Sequence, residues 1–263
     1  MSTSVRALNS NAMIIATRPH PRARGSTRRS TVVRAAVTDP STKISFPDTN
    51  ASGLTAIGAG CRTKRIAILD VKVYALAMYV DADKARAQRE KGLLDGDYDK
   101  EVAIELARDV DGKTFYEALD EALSPRIREI ATNMATAEDD EGNFMASVAE
   151  AAEVAEDAAL EELDTMRSGF ESLKLKSGTK MTISWTPAGA KKATIEVQGS
   201  AKIEFESPEF AKALLDVYVG STPVAPAAAS ASVRVASEAA LVAASSCAQW
   251  ARACEIDAST ADR

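Results

Sequence analysis

The run IAILDVKVYALAMYVD, residues 66–81, constrains the fold more than any other part of this 263-residue chain. It is rich in β-branched and aromatic residues and is bounded by turn-forming residues, which is typical of a β-strand. The residues before it show the same character. The pattern therefore predicts a hairpin of residues 54–60 and 63–80, with its bend near Leu69–Asp70.

Successive side chains of a strand point to opposite faces of the sheet, so the run can be divided into two sets. Strict alternation places Val71, Val73, Ala75, Ala77 and Tyr79 on one face and Lys72, Tyr74, Leu76 and Met78 on the other. Both sets are largely apolar. That predicts a strand covered on both sides, by helices on one face and by a ligand or a second layer on the other.

The rest of the chain alternates between strand and helix patterns. A strand is predicted at 101–110, and the predicted helix over 112–135 contains Pro125 as a kink or break. The other predicted elements are an amphipathic helix (138–173), a three-strand meander (180–207) with a turn at Pro187–Gly189, and a capped helix (207–220). This order predicts an α+β domain with an antiparallel sheet backed by helices.

The first 36 residues differ in composition from the rest of the chain. They contain seven arginines, many Ser and Thr residues, and no Asp or Glu. An Arg- and Ser-rich leader without acidic residues is typical of an organelle transit peptide. The Ser/Thr content favours the chloroplast stroma over the mitochondrion. Residues 37–263 are then expected to form a single domain with an Ala/Ser-rich helical tail over 225–250.

Charge and residue counts exclude several classes of function. The net charge is −6, and it falls to −13 once the seven arginines of the leader are left out, so nucleic acid and anionic membranes are unfavourable partners. The one histidine, His20, lies in the leader, which leaves no imidazole for a nucleophile pair or a metal site. The three cysteines, Cys61, Cys247 and Cys254, form no CxxC pair. No cofactor or metal is expected.

Four blocks of sequence together resemble the chalcone-isomerase fold family. In chain order they are GAGCRTKRIAILDVKVYALAMYV (58–80), RDVDGKTFYEALDEALSPRI (108–127), KMTISW (180–185) and ALLDVYVG (213–220) followed by PVAP. The resemblance extends from about residue 44 to residue 235. It implies an open-faced β-sandwich, in which a large antiparallel sheet carries helices on one side and a ligand cleft lies between the sheet and the helices.

Individual positions separate the branches of that family. Arg62 matches an arginine that steers the ligand in chalcone isomerases. Their active-site threonine, however, corresponds to Tyr74 and their late Ser/Thr hydroxyl to Val217. These replacements argue against ring closure. The plastid fatty-acid-binding branch has an arginine and a tyrosine at the Arg62 and Tyr74 positions, which this chain shares.

The resemblance implies a non-catalytic plastid fatty-acid-binding protein. Arg62 and Tyr74 hold the carboxylate, because a guanidinium offers two parallel donors and a phenol adds a third. Lys72 is placed either to assist the anion or to face solvent, and Tyr79 either to contact the ligand or to pack. A fatty acid of about twelve to eighteen carbons is expected, with each buried methylene contributing about 0.8 kcal/mol. The expected cleft residues are Leu76, Met78, Leu119, Leu123 and Leu215.

Two alternatives stay open at this point. One is an isomerase of the chalcone–flavanone type, in which Arg62 and Tyr74 stabilise an oxyanion on a chalcone or a related phenolic compound. The other is an interaction protein with an occluded or empty cleft. The oligomeric state and the exact end of the leader are not specified by any pattern in the chain.

Overall fold

A six-stranded antiparallel sheet organises the part of the chain that the computed structural model describes. That part comprises residues 36–66, 68–138, 145–186, 192–200 and 202–230. The predicted leader, apart from Ala36, lies outside it. So do the turn at Pro187–Gly189 and the tail beyond residue 230.

Ten strands and five α-helices are defined in this part of the chain. The strands are β1 (Ala36–Thr38), β2 (Ser45–Pro47), β3 (Thr55–Ile66), β4 (Leu69–Val80), β5 (Lys100–Leu106), β6 (Val110–Asp111), β7 (Lys174–Leu175), β8 (Lys180–Thr186), β9 (Lys192–Val197) and β10 (Ile203–Phe205). The helices are α1 (Ala82–Ala87), α2 (Gly92–Asp95), α3 (Gly112–Glu138), α4 (Met145–Phe170) and α5 (Pro208–Val219).

The strands of the large sheet lie in the order β10-β9-β8-β5-β4-β3, and every neighbouring pair is antiparallel. The predicted hairpin and the predicted meander are both present. The meander is the β8–β9–β10 half of the sheet, and β5 joins it to the hairpin. The fold is therefore of the predicted α+β class.

The bend of the hairpin is displaced from its predicted position. Leu69 pairs with Ile66 and Asp70 pairs with Arg65, so both predicted bend residues belong to β4. The apolar tip explains the error. Ile68 is 86% exposed, and an exposed isoleucine in a turn carries the same sequence signal as a strand residue.

A β-bulge at Val73 changes the alternation of side chains in β4. Arg62 pairs with Tyr74 and Thr63 pairs with Lys72, so Val73 has no partner of its own on β3. Val73 and Tyr74 both pack against the helix-side core, whereas the Lys72 ammonium donates to the carbonyl oxygen of Ser41, in the β1–β2 connection. The prediction that Lys72 shares the face of Tyr74 is wrong for this reason.

The two faces of the sheet carry separate cores. The larger core lies beneath α3, α4 and α5 and includes Tyr74, Leu76 and Met78. The smaller core packs Phe46 of β2 against Ala75, Ala77 and Tyr79 from the opposite face of β4. The β1–β2 hairpin is thus the second layer that the two apolar faces of the strand predicted.

The helices over the larger core are formed largely as the sequence predicts. Ser207 caps α5, its hydroxyl accepting from the amide of Phe210 at 3.1 Å, and Pro208 occupies the first helical position. No break occurs at Pro125, because α3 continues to Glu138. None of the helices in the described ranges carries an apolar stretch long enough to cross a bilayer.

Candidate functional site

Arg62 and Tyr74 face each other across the β3–β4 ladder at one end of the sheet. The guanidinium carbon of Arg62 lies 5.9 Å from the centroid of the Tyr74 ring. One guanidinium nitrogen, Nη2, donates to the carbonyl oxygen of Ala118 in α3 at 3.0 Å. Arg62 is half-buried. Its hydrogen bond to Ala118 joins β3 of the sheet to α3.

Tyr74 is completely buried among aromatic side chains. Its ring lies 5.9 Å from Phe115 of α3, which stacks on Phe170 of α4 at 5.4 Å. Its hydroxyl has no hydrogen-bond partner among the described residues. Burial raises the pKa of Tyr74, and the positive charge of Arg62 offsets part of that rise. The phenol therefore stays protonated and able to donate.

A second buried phenol, Tyr218 of α5, completes the cluster. Its hydroxyl also makes no hydrogen bond of good geometry among the described residues, although it lies close enough to the Tyr74 hydroxyl for a hydrogen-bond interaction between the two phenols to contribute to the pKa of each. Burial raises the pKa of Tyr218 well above its ordinary value, with Tyr74 adding to the rise and Arg62 opposing it. We refer to Arg62, Tyr74 and Tyr218 as the Arg–Tyr–Tyr cluster.

Tyr218 was not identified from the sequence. The resemblance to the isomerases directed attention to Val217, where a hydroxyl is missing, and Val217 is fully buried as an apolar core residue. The neighbouring residue supplies a hydroxyl instead. The sequence signal that could have identified Tyr218 is the helical period of α5, which places it on the same face as Leu215 and Ala211, the face that meets the sheet.

Leaving two phenol hydroxyls unpaired inside a core is costly. A buried polar group without a partner costs about 1–3 kcal/mol, and such groups are uncommon in folded proteins. Two of them beside one guanidinium provide O–H donors that no described residue accepts with good geometry. The arrangement suits a small anion, above all a carboxylate, whose oxygens would accept from all three side chains.

The five residues predicted to line an acyl cleft all belong to the larger core, together with Tyr74 and Tyr218. Each is at most 3% exposed, so in this structure their side chains fill the space between the sheet and the helices. An acyl chain would enter this space only if α3 or α5 moved outward. The residues concerned are Leu76, Met78, Leu119, Leu123 and Leu215.

The other two predicted ligand-binding residues are not brought to the cluster. Tyr79 lies on the opposite face of β4, where its hydroxyl donates to the carbonyl oxygen of Pro47 at 2.8 Å and holds the second layer in place. Lys72 bonds to Ser41 on the same side. Of the four predicted residues, the structure therefore brings together only Arg62 and Tyr74.

No metal-binding arrangement accompanies the cluster. Within the described ranges, no three or more His, Cys, Asp or Glu side chains are grouped closely enough to hold a metal ion. Cys61, the neighbour of Arg62, is a free, half-buried thiol.

Comparison with known proteins gives a structural relationship. No family model matches the sequence, and no curated protein matches it either. The structure is similar to the crystal structure of a fatty-acid binding protein from Arabidopsis thaliana (AtFAP1), with a TM-score of 0.59 and 17% sequence identity. The match covers 77% of this chain and 98% of that protein. The chain therefore has the chalcone-isomerase fold, as the sequence predicted.

Proposed function

We propose that this protein is a non-catalytic fatty-acid-binding protein that holds the carboxylate of its ligand in the Arg–Tyr–Tyr cluster. The observation that carries the proposal is the pair of buried, unpaired hydroxyls of Tyr74 and Tyr218 beside the guanidinium of Arg62. The structurally similar Arabidopsis protein, described as a fatty-acid binding protein, supports the class of ligand.

The chemistry of the cluster favours a carboxylate. Arg62 offers fixed N–H donors, and the two phenols offer one O–H each, so a carboxylate can accept three or more charge-assisted hydrogen bonds. The surrounding core is apolar, which suits the chain that follows the carboxylate. Each methylene transferred from water contributes about 0.8 kcal/mol, so a chain of about twelve carbons supplies ample binding free energy even after side chains are displaced.

The filled core determines how binding would proceed. Because the acyl cleft residues are buried against one another, the ligand must displace α3 or α5 from the sheet before its chain is enclosed. Arg62 is suited to the first contact, since it is half-buried and reaches both β3 and α3. The carboxylate then anchors at the edge while the chain passes inward.

The first experiment is native mass spectrometry of the full chain purified from a bacterial host, with titration of dodecanoic acid into delipidated protein. Arg62→Ala should weaken binding by about 1.5–3 kcal/mol, the range for hydrogen bonds to a charged group. Arg65→Ala is the matched control, because Arg65 is an exposed cation on the same strand. Equal affinities of the two variants would contradict the proposed carboxylate site.

The same preparation separates binding from catalysis. A guanidinium and two phenols are also able to hold the phenolate of a chalcone, so ring closure should be assayed on the protein freed of lipid. Closure that depends on Arg62 would replace the carrier function with the isomerase function. A protein that neither binds dodecanoic acid nor closes the chalcone ring would contradict both the carrier function and the isomerase function.

The plastid role rests on the leader alone. We propose that residues 1–36 direct the protein to the chloroplast stroma, where it serves fatty-acid metabolism. The leader is Arg- and Ser/Thr-rich and acid-free. A fusion of residues 1–36 to a fluorescent protein should label chloroplasts. Labelling of mitochondria would assign the protein to the other organelle.

A further inference from the structure

A cavity of about 460 Å³ lies at the opposite end of β5 from the Arg–Tyr–Tyr cluster. Lys100, the first residue of β5, pairs with Trp185, whereas Leu106, the last, pairs with Tyr74. The two ends are six residue steps apart along the strand, which corresponds to about 20 Å. The cavity is thus a different place from the proposed carboxylate site. Its lining is mixed: Leu94, Trp185, Pro208, Ala211 and Leu215 form the apolar part, and charged side chains form the rest.

Lys100 is one of the residues that line this cavity. The residue is only 5% exposed. Its ammonium donates to the carbonyl oxygen of Gly96 and lies 4.4 Å from the centroid of the Tyr98 ring. The bond to Gly96 is the one hydrogen bond that this amine makes within the described ranges. Lysine is seldom buried without an ion-pair partner, so the environment of Lys100 is unusual for this residue type.

The other charged groups around the cavity are largely engaged elsewhere or exposed. Lys212 bonds to Asp95 at 2.7 Å, and Lys192 forms an ion pair with Glu206. Asp97, Asp95 and Asp99 stabilise the ammonium of Lys100, in that order of strength, but burial outweighs them and lowers its pKa to about 8. The exposed Lys91 also borders the cavity.

We propose that Lys100 is a covalent binding site for apolar aldehydes, which it holds as a reversible imine in the cavity beneath α5. Three features support this assignment. The amine is buried and has no ion-pair partner within the described ranges, five apolar residues border the cavity beside it, and Lys192 and Lys212, which also border the cavity, are already paired with carboxylates. The proposal does not involve the Arg–Tyr–Tyr cluster, although Leu215 lines both this cavity and the proposed acyl cleft.

The reaction needs no oxidant or reductant. The lone pair of the neutral Lys100 amine attacks the carbonyl carbon, forming a C–N bond, and the π electrons of the carbonyl move to its oxygen. Transfer of one proton from nitrogen to that oxygen gives a carbinolamine. The nitrogen lone pair then expels the hydroxyl, which leaves as water with a second proton from nitrogen, and a C=N bond results.

Burial supplies the neutral amine that this reaction requires. With a pKa of about 8, about half of Lys100 is uncharged at pH 8, whereas an ordinary lysine with a pKa near 10.4 is neutral in well under about 1% of molecules. Lys100 should therefore react on the order of 10- to 100-fold faster than exposed lysines at this pH. Lys212 is the natural comparison, because it borders the same cavity and is tied to Asp95.

The test is labelling of the full chain with a limiting amount of hexanal at pH 8, with cyanoborohydride present to trap the imine, followed by mapping of modified lysines by mass spectrometry. We expect Lys100 to carry most of the label, at least tenfold more than Lys212. Glyceraldehyde, a polar aldehyde, should lose this preference. Label spread evenly over exposed lysines with hexanal would overturn the proposal.

Variants add a second readout. Lys100→Arg should abolish the preferred label while Lys212→Arg should leave it in place. If Lys100→Arg does not fold, the pH profile of the wild-type label decides instead. Labelling of Lys100 should reach half its maximal rate near pH 8. A rate that keeps rising in parallel with that of Lys212 up to pH 10 would contradict the proposed site.

Discussion

Tyr74 stands opposite Arg62 on the neighbouring strand, and the bulge at Val73 immediately precedes it. The bulge turns Lys72 towards the second layer, whereas Tyr74 lies beside the guanidinium of Arg62 on the helix side. A regular strand would place an ammonium two residues from the phenol on the same face. The bulge therefore defines the site as one cation with phenols, rather than two cations.

Removing the hydroxyl of Tyr218 should affect stability and binding in opposite directions. Within the described ranges the hydroxyl is buried and makes no hydrogen bond of good geometry. Tyr218→Phe should therefore leave the free energy of unfolding unchanged or raise it, by at most about 3 kcal/mol. Affinity for dodecanoic acid should fall by about 1.5–3 kcal/mol, because a hydrogen bond to the carboxylate is lost. Urea unfolding and calorimetric titration measure the two quantities.

Tyr79→Phe is the control for that substitution. Its hydroxyl bonds to Pro47 on the other face of the sheet, so its loss should cost about 0.5–1.5 kcal/mol of stability and leave the affinity unchanged. A Tyr218→Phe variant that behaves like Tyr79→Phe would mean that the Tyr218 hydroxyl has a structural partner and no ligand role.

The sequence was sufficient for the sheet, its helices and two of the three residues of the cluster. Alternation of apolar residues identified the two faces of β4 correctly from Tyr74 onwards, and the family resemblance at Arg62 and Tyr74 pointed to an anion site. The bulge at Val73 was beyond sequence reasoning, because nothing in the run YALAMYV or the residues before it departs from strand-like character. Tyr218 was missed for another reason, since its role depends on how α5 docks on the sheet, which is a tertiary relationship.

Alkaline conditions should destabilise the protein through its buried phenols. Burial raises the pKa of Tyr79 to about 12, and it also raises the pKa values of Tyr74 and Tyr218. A folded-state pKa above the unfolded value of about 10 stabilises the folded protein fully below pH 10, and this contribution is lost as pH rises beyond it. The free energy of unfolding measured by urea should therefore decline from pH 10 upwards.

The Tyr79→Phe and Tyr218→Phe variants sharpen this measurement. Each removes one of the shifted groups, so each should show a shallower decline above pH 10 than the wild-type protein. Identical slopes in all three proteins would assign alkaline unfolding to groups other than these tyrosines.

Lys100 should produce the opposite pH dependence at lower pH. Its folded-state pKa of about 8 lies below the ordinary lysine value, so the unfolded chain binds more protons between about pH 8 and 10.4, and stability from this residue rises with pH across that interval. Lys100→Met removes the buried charge. The variant should gain stability relative to the wild type at pH 7, and the advantage should shrink by pH 10; an advantage independent of pH would contradict burial of the charged amine.

Arg126 joins α3 to α5 and to the segment that follows α5. Its Nε donates to Asp216 at 2.8 Å, one Nη to the carbonyl oxygen of Ala122 at 2.6 Å, and the other Nη to Thr222. Both charged side chains of the Arg126–Asp216 pair are mostly buried. Arg126→Ala leaves the carboxylate of Asp216 without its partner, so it should lower the free energy of unfolding by about 2–3 kcal/mol.

Arg128→Ala is the matched control for this helix junction. Arg128 lies on the same helix, and the Arg128 side chain in its ion pair with Glu156 is 78% exposed, so its loss should cost less than about 1 kcal/mol.

Because acyl-chain entry is proposed to require outward movement of α3 or α5, Arg126→Ala should also speed association of dodecanoic acid, measured by stopped-flow fluorescence. Slower association in Arg126→Ala than in Arg128→Ala would show that a fixed α3–α5 junction, rather than its opening, admits the ligand.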